Sequence, residues 1–242
     1  MNLELMKEMI YKRRSVRRYK AGKISPEDRE LVCDLIDELV PLYPEIKTHI
    51  EIISRQHIHT TMLWAPEEVI VFYSEPKAGY LTNAGFMLGE LDLALQAMGI
   101  GTCYIGLARM GTYANHCVGG GLEYVMTLAI GYTDVPLRNG EASFMRKPLS
   151  DITDTADSRL SPMRLAASSM NTQSWFVRGE EDVFYLYRRQ ISRSRDIERM
   201  NRFDVGIALS HLYVSYPDTF EILGDTPVPV LNNHDSILAF RI

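Results

Sequence analysis

The stretch YLTNAGFMLGELDLALQAM, residues 80–98, decides the architecture. Ala84, Met87, Leu88, Leu91, Leu95 and Met98 recur at helical spacing, which makes this the most apolar helix of the chain. Gly99 and Gly101 follow and are predicted to end it as a C-terminal cap. An echo lies far downstream. Asn83-Ala84-Gly85-Phe86-Met87-Leu88 and Asp204-Val205-Gly206-Ile207-Ala208-Leu209 share the order polar, small or apolar, Gly, apolar, apolar, Leu. Glycine within an apolar helix permits close helix packing. The echo predicts one domain over residues 1–242 with two related halves, approximately 1–150 and 151–242, each holding one such helix.

Strands and further helices are expected around these two. Residues 69–73 (VIVFY) are continuously apolar and β-rich, as in a buried strand, and residues 49–53 alternate roughly as another. Residues 124–130 read as a central strand ending at Gly131-Tyr132. A first helix is predicted over residues 3–13, with Leu5, Met6, Met9 and Ile10 as its apolar stripe. Ser25-Pro26-Glu27-Asp28 is a strong helix start: a cap, a proline at the first position and two acids at the positive end of the dipole. That helix carries Leu31, Val32, Leu35, Ile36 and Leu39 and stops near Pro41 and Pro44.

A polar connection leads to Arg146-Lys147-Pro148-Leu149 and marks the boundary between halves. Beyond it come a helix near 161–169, a hairpin pairing 173–178 with 183–187, a helix over 195–213 and closing strands at 220–223 and 237–242. Helices and strands mix without regular βαβ alternation. The fold class is therefore α+β, a layered arrangement with a central sheet flanked by helices.

The 242 residues are 46% hydrophobic and 24% charged, ordinary for a globular protein, and the net charge is -5. An acidic balance argues against general affinity for nucleic acid or anionic membranes. Cys33, Cys103 and Cys117 are odd in number, widely spaced and without a CxxC pair, which fits reduced thiols in a cytoplasm. No apolar run approaches the roughly 20 residues of a membrane span. A cytoplasmic location is expected.

In this acidic chain, Lys12, Arg13, Arg14, Arg17, Arg18 and Lys20 surround Ser15. Cations favour a helix C-terminus, so a solvated charge run is one reading. The other is an anion site, because Arg presents a planar fork to phosphate oxygens and a Ser hydroxyl adds a donor. A second segment, AASSMNTQSW over residues 166–175, packs small and amide side chains before a strand. It reads equally as a capped helix exit or as a surface for the polar edge of a planar heterocycle.

These segments together resemble the FMN-dependent nitroreductase family, and the resemblance extends over most of the chain. Arg13-Arg14-Ser15-Val16-Arg17-Arg18-Tyr19 is similar to the family's opening Arg-x-Ser-x-Arg/Lys motif. Residues 83–106 resemble its central helix and the turn toward the flavin. Leu128-Ala129-Ile130-Gly131-Tyr132 and Arg146-Lys147-Pro148-Leu149 are also family-like. Residues 166–175 resemble its Pro-Ser-x-x-Asn-x-Gln-Pro-Trp motif, with Ala167 and Ser174 in place of the prolines.

The order departs from typical members, in which the Asn-x-Gln-x-Trp motif soon follows Arg-x-Ser. Typical members are homodimers with flavin between subunits. Here each contribution occurs once, in different halves, so the resemblance implies a chain that imitates the dimer internally, with one FMN site and a monomer allowed. This arrangement resembles a variant subgroup known mainly from bacteria and archaea.

The resemblance implies that Arg13, Arg14, Ser15 and Arg17 contact phosphate and the pyrimidine side of FMN. It implies that Arg146 and Lys147 complete the phosphate site, and that Ser168, Ser169 and Asn171 approach from the opposite half. Backbone amides of Tyr104, Ile105 and Gly106 would lie near the reactive flavin edge. The implied activity is ping-pong hydride transfer from NADH or NADPH to a nitroaromatic or quinone-like small-molecule acceptor, with the cofactor carrying the chemistry. The scheme nominates no protein acid or base. The alternative is a catalytically degenerate flavin- or anion-binding protein of the same fold.

Other chemistries find little support. Gly99-x-Gly101 lacks the third glycine of a dinucleotide fingerprint. His57-x-His59 has no third ligand near in sequence, and a surface pair is expected. Cys103 reads as a buried small residue.

Overall fold

A computed structural model describes residues 1–64, 66–111, 120–192 and 194–242. Helix α1 (Leu3–Ile10) and helix α2 (Pro26–Asp37) precede strand β1 (Thr48–Ser54), β2 (Ile58–His59) and β3 (Glu68–Ser74). Helix α3 (Tyr80–Ala97) leads into β4 (Ile100–Tyr104), β5 (Arg109–Met110) and β6 (Glu123–Tyr132). The second half holds α4 (Ser161–Arg164), the hairpin β7 (Trp175–Glu180) and β8 (Val183–Arg189), then α5 (Arg195–Ser215), β9 (Glu221–Ile222) and β10 (His234–Arg241).

Two antiparallel four-stranded sheets form, with orders β1-β3-β6-β4 and β7-β8-β10-β9. One apolar cluster joins Ile70, Phe72 and Leu128 of the first sheet to Trp175, Leu186 and Phe240 of the second through Leu88, Leu91, Ile207 and Leu209 of α3 and α5. The two long helices thus supply the layer that both sheets cover. This explains the composition of α3, which has no polar face because every residue from Leu81 to Gln96 is buried.

The same logic accounts for VIVFY. Ile70 and Phe72 join the central cluster, while Val69, Val71 and Tyr73 pack on the opposite face with Ile58, Cys103, Ile105 and Ala129. Every residue of β3 is buried, and each large apolar side chain contributes about 1.5–3 kcal/mol by leaving water.

The glycines of the echo face each other. A Cβ built on Gly85 would lie 1.9 Å from the Phe203 carbonyl oxygen and 3.2 Å from the Gly206 Cα. One built on Gly206 would lie 2.0 Å from the Thr82 oxygen. The two helices therefore touch backbone to backbone, an approach that only glycine permits at these positions. The polar residues that open the two echoes also act alike. Asn83 Oδ1 accepts the Tyr43 N–H at 3.0 Å, and Asp204 Oδ2 accepts the Ser169 N–H at 3.0 Å.

Ser25 caps α2 as expected by accepting the Asp28 N–H. Gly99 ends α3 with φ +82, whereas Gly101 already belongs to β4. Other expected boundaries move. The first helix stops at Ile10 instead of residue 13, because the chain must extend to lay Ser15 beside Thr102 in a parallel bridge, with Val16 N–H donating to the Thr102 carbonyl at 2.8 Å. The helix expected over 161–169 is a single turn; Ser168 is extended, and Met170, Asn171 and Gln173 have positive φ. That reversal starts the strand at Trp175 instead of 173. The second helix ends at Asp37, before Leu39, and β9 is confined to Glu221–Ile222. Cys117 lies outside the described residues.

Candidate functional site

The segment after α1, the end of β4 and the turn before β7 converge on a cavity of about 260 Å³. From the first half it is lined by Ser15, Arg17, Met62, Trp64, Met126 and the run Cys103 to Leu107. From the second half it is lined by Ala167 to Met170 and by Met200, Phe203, Asp204 and Ile207 of α5. Of the residues singled out in the sequence, Ser15, Arg17, Tyr104, Ile105, Gly106, Ser168 and Ser169 all meet here. Gly106 admits close contact, since a Cβ would lie 2.8 Å from the Met200 sulfur. Arg17 sits 6.0 Å from the Trp64 ring centroid.

The remaining expected residues lie off the cavity wall. Arg13 is buried, and its Nε lies 2.8 Å from Asp92 Oδ2 of α3. Asp92 also accepts from Gln96 Nε2 at 2.8 Å and from the Thr102 hydroxyl. Arg146 donates to Asn171 Oδ1 at 2.7 Å and to the Leu165 carbonyl at 3.4 Å, and Asn171 Nδ2 donates to the Met145 carbonyl. The late basic motif and the amide turn therefore join directly. Lys147 Nζ donates to the Thr172 carbonyl at 2.8 Å. Arg14 turns away, donating from its backbone to Gln96 Oε1 and from its guanidinium to the Pro136 carbonyl.

Electrostatics tie Arg13 to this group. Burial, with Arg13 and Arg138 adding, lowers the Arg146 guanidinium to about 10. Burial, then Arg14 and Arg13, lowers Arg138 as well. Both stack on Phe144, with centroid distances of 4.6 Å for Arg138 and 5.5 Å for Arg146. Arg13 Nη2, Arg138 Nε and Arg146 Nε are buried with no hydrogen-bond partner among the described residues. Mutually repelling guanidiniums with orphaned N–H groups are the chemistry of an anion site. Ser15 and Ser169 of the cavity wall stand two residues along the chain from Arg13 and Asn171.

Sequence reasoning missed Arg138, Trp64, Met62 and Asp204. Arg138 sat in a connection read as a linker. Asp204 stood in the echo opposite Asn83, and its signal was a charged residue opening the apolar run of α5. Burial, partly offset by the Ser169 N–H, raises its carboxyl well above the usual carboxylate range. Burial also raises the Cys103 thiol and the Tyr104 hydroxyl, the latter donating to the Leu88 carbonyl at 3.0 Å.

Among the described residues no cluster of metal-ligand type occurs, and no helix is long and apolar enough to cross a membrane. Comparison with curated proteins gives no match. Among solved structures, a "putative nitroreductase" from Thermotoga maritima is similar over 97% of this chain and 91% of its own, with 20% identity and a TM-score of 0.62. A nitroreductase with bound FMN from Desulfitobacterium hafniense is similar over 61% of this chain and 99% of its own, at 13% identity and a TM-score of 0.46. A "putative nitroreductase" in complex with FMN from Desulfovibrio desulfuricans covers 62% of this chain and 94% of its own, at 19% identity and a TM-score of 0.41. The family model described as "Putative TM nitroreductase" matches residues 5–216, so the chain belongs to the nitroreductase family.

Proposed function

We propose that this chain is an FMN-dependent NAD(P)H oxidoreductase that reduces nitroaromatic or quinone-like acceptors. The observation that carries the reading is the cavity wall made by Ser15, Arg17 and Tyr104 to Gly106 from one half and Ser168 and Ser169 from the other, in segments that also carry Arg13, with its unsatisfied Nη2, and Asn171, the partner of Arg146. A mononucleotide needs both features: a mostly apolar slot for a planar ring and cations for a phosphate. The residues present fit that group.

FMN, when bound, supplies two-electron transfer between a nicotinamide and the acceptor. The chain's residues bind and orient. Arg13, Arg138 and Arg146 would hold the phosphate, with Asn171 positioning Arg146. Arg17 would stabilise negative charge on the ring, and the backbone of Tyr104 to Gly106 would face its reactive edge. Met62, Trp64 and Phe203 would exclude water.

The meeting of Gly85 with Gly206, and the matching roles of Asn83 and Asp204, support a single domain whose halves stand in for two subunits, with one FMN per chain. Purified protein should show a flavin absorption band that NADH or NADPH bleaches under anaerobic conditions and a quinone restores. Titration should saturate at one FMN per chain. Uptake without bleaching would favour a binding protein without turnover, and a colourless protein that refuses added FMN would overturn the proposal.

A further inference from the structure

Reducing a quinone to a hydroquinone requires more than electrons. The acceptor gains a hydride, which brings two electrons and one proton, and then a second proton at its other oxygen. The cavity wall offers ionisable groups at Arg17, Cys103, Tyr104 and Asp204. A guanidinium serves in proteins as a hydrogen-bond donor and not as an acid, which sets Arg17 aside. The Tyr104 proton is committed to the Leu88 carbonyl, and Cys103 donates weakly to the Tyr104 carbonyl at 3.7 Å. Asp204 stands apart from these. One of its oxygens accepts from Ser169 N–H, and the other has no hydrogen-bond partner among the described residues.

The echo sharpens this. Asn83 performs the same backbone-capping task as Asp204 at the same 3.0 Å distance. The task therefore requires only a side-chain carbonyl oxygen, and an amide suffices. An aspartate at the second position costs desolvation that an asparagine avoids. What it adds is an exchangeable proton at the wall of the cavity.

Resting on the FMN-dependent reading above, we propose that Asp204 is the proton donor to the bound acceptor. In the step, the hydride from reduced flavin forms one new bond to the quinone. The O–H bond of the Asp204 carboxyl breaks, its proton passes to the other quinone oxygen, and hydroquinone forms. Flavin is reoxidised, the Asp204 carboxylate regains a proton from water, and NAD(P)H supplies the next electron pair. Burial, partly offset by the Ser169 N–H, raises the Asp204 carboxyl well above the usual carboxylate range, the direction that a proton donor needs. Arg17, Cys103 and Tyr104 are the titratable or charged groups that share the wall with it.

The test is Asp204→Asn, which the precedent of Asn83 marks as compatible with the fold. The variant should take up FMN and be bleached by NAD(P)H like the parent. Its reoxidation by a quinone should slow about 10²-fold, the ordinary weight of a positioned acid, and lose the solvent-deuterium effect on that half-reaction. Independently of turnover, infrared spectra of the parent at neutral pH should show a protonated-carboxyl band that disappears in the variant. Unchanged quinone reoxidation, or a parent without that band, would overturn the proposal. A parent that binds no flavin would instead refute the underlying function, and with it this role.

Discussion

Replacing Gly206 by alanine tests the backbone-to-backbone contact of the two long helices. The added Cβ would lie 2.0 Å from the Thr82 carbonyl oxygen and 2.6 Å from the Phe86 nitrogen. Both are backbone atoms inside α3, so no side chain can swing aside. Ordinary contact begins at 3.4 Å, so the helices would have to part by about 1.4 Å at the crossing. A gap of about 0.5–1 Å already forfeits a quarter to a half of the dispersion attraction between packed atoms. Overpacking of this kind costs about 1–3 kcal/mol and occasionally more, and immovable backbone puts this site at the upper end. Alanine returns about 1 kcal/mol of helix propensity. The net loss is about 2 kcal/mol, a fall in melting temperature of about 4–8 °C for a chain of this size. Thermal unfolding followed by circular dichroism measures it. FMN affinity should fall in parallel, because Phe203, Asp204 and Ile207 of the displaced helix line the cavity. A melting temperature equal to or above that of the parent would refute the backbone contact.

Asp92→Ala leaves the buried Arg13 without its carboxylate and should cost about 3–5 kcal/mol in denaturant unfolding, whereas replacing both residues by apolar ones should recover most of it. Arg146→Ala and Asn171→Ala should each weaken FMN binding by about 10–100-fold in a fluorescence titration, the weight of a charge-assisted hydrogen bond. Buried His211, lowered to about 3 chiefly by burial, makes stability fall with acid. The unfolded chain gains a proton below about 6.5 that the folded one refuses until about 3, so the loss runs through that window, and His211→Gln should flatten it. Glu90 works in the opposite direction. Burial raises it well above the carboxylate range against a smaller backbone contribution from Val40, so its stabilisation is complete in acid and lost as pH rises through its folded value. Glu90→Gln should be the more resistant protein in alkali.

Much of this architecture was legible in local pattern. The run 69–73 announced a strand buried on both faces, and residues 80–98 a helix with no solvent side, because complete burial leaves continuous apolarity in the sequence. Ser25-Pro26 fixed a helix start through capping chemistry that needs no tertiary partner. The misplaced boundaries have tertiary causes. Residues 11–13 suit a helix, yet the Ser15 bridge to Thr102 pulls them straight, and the positive φ of Met170, Asn171 and Gln173 ends what composition would extend. In the candidate site, Ser15, Arg17, Tyr104 and Ser168 were singled out by the family resemblance, whose motifs are each carried by a short run of sequence. Arg138 and Asp204 were not, since a cation in a polar connection and an acid at one end of an apolar stretch acquire meaning only when folding sets them beside Arg13 and Ser169.

The guanidinium group formed by Arg13, Arg138 and Arg146 has a kinetic consequence. The chain carries a net charge of -5, so an anion approaching most of its surface is repelled. The guanidiniums of Arg13, Arg138 and Arg146 concentrate positive charge locally, and Arg17, exposed at the cavity wall, adds another cation. A phosphorylated ligand would be steered toward these cations, and its association rate should drop steeply as added salt shortens the Debye length from about 10 Å toward 3 Å. A neutral quinone feels no such field. The two reactants would then answer differently to ionic strength, cofactor capture slowing while acceptor entry stays constant.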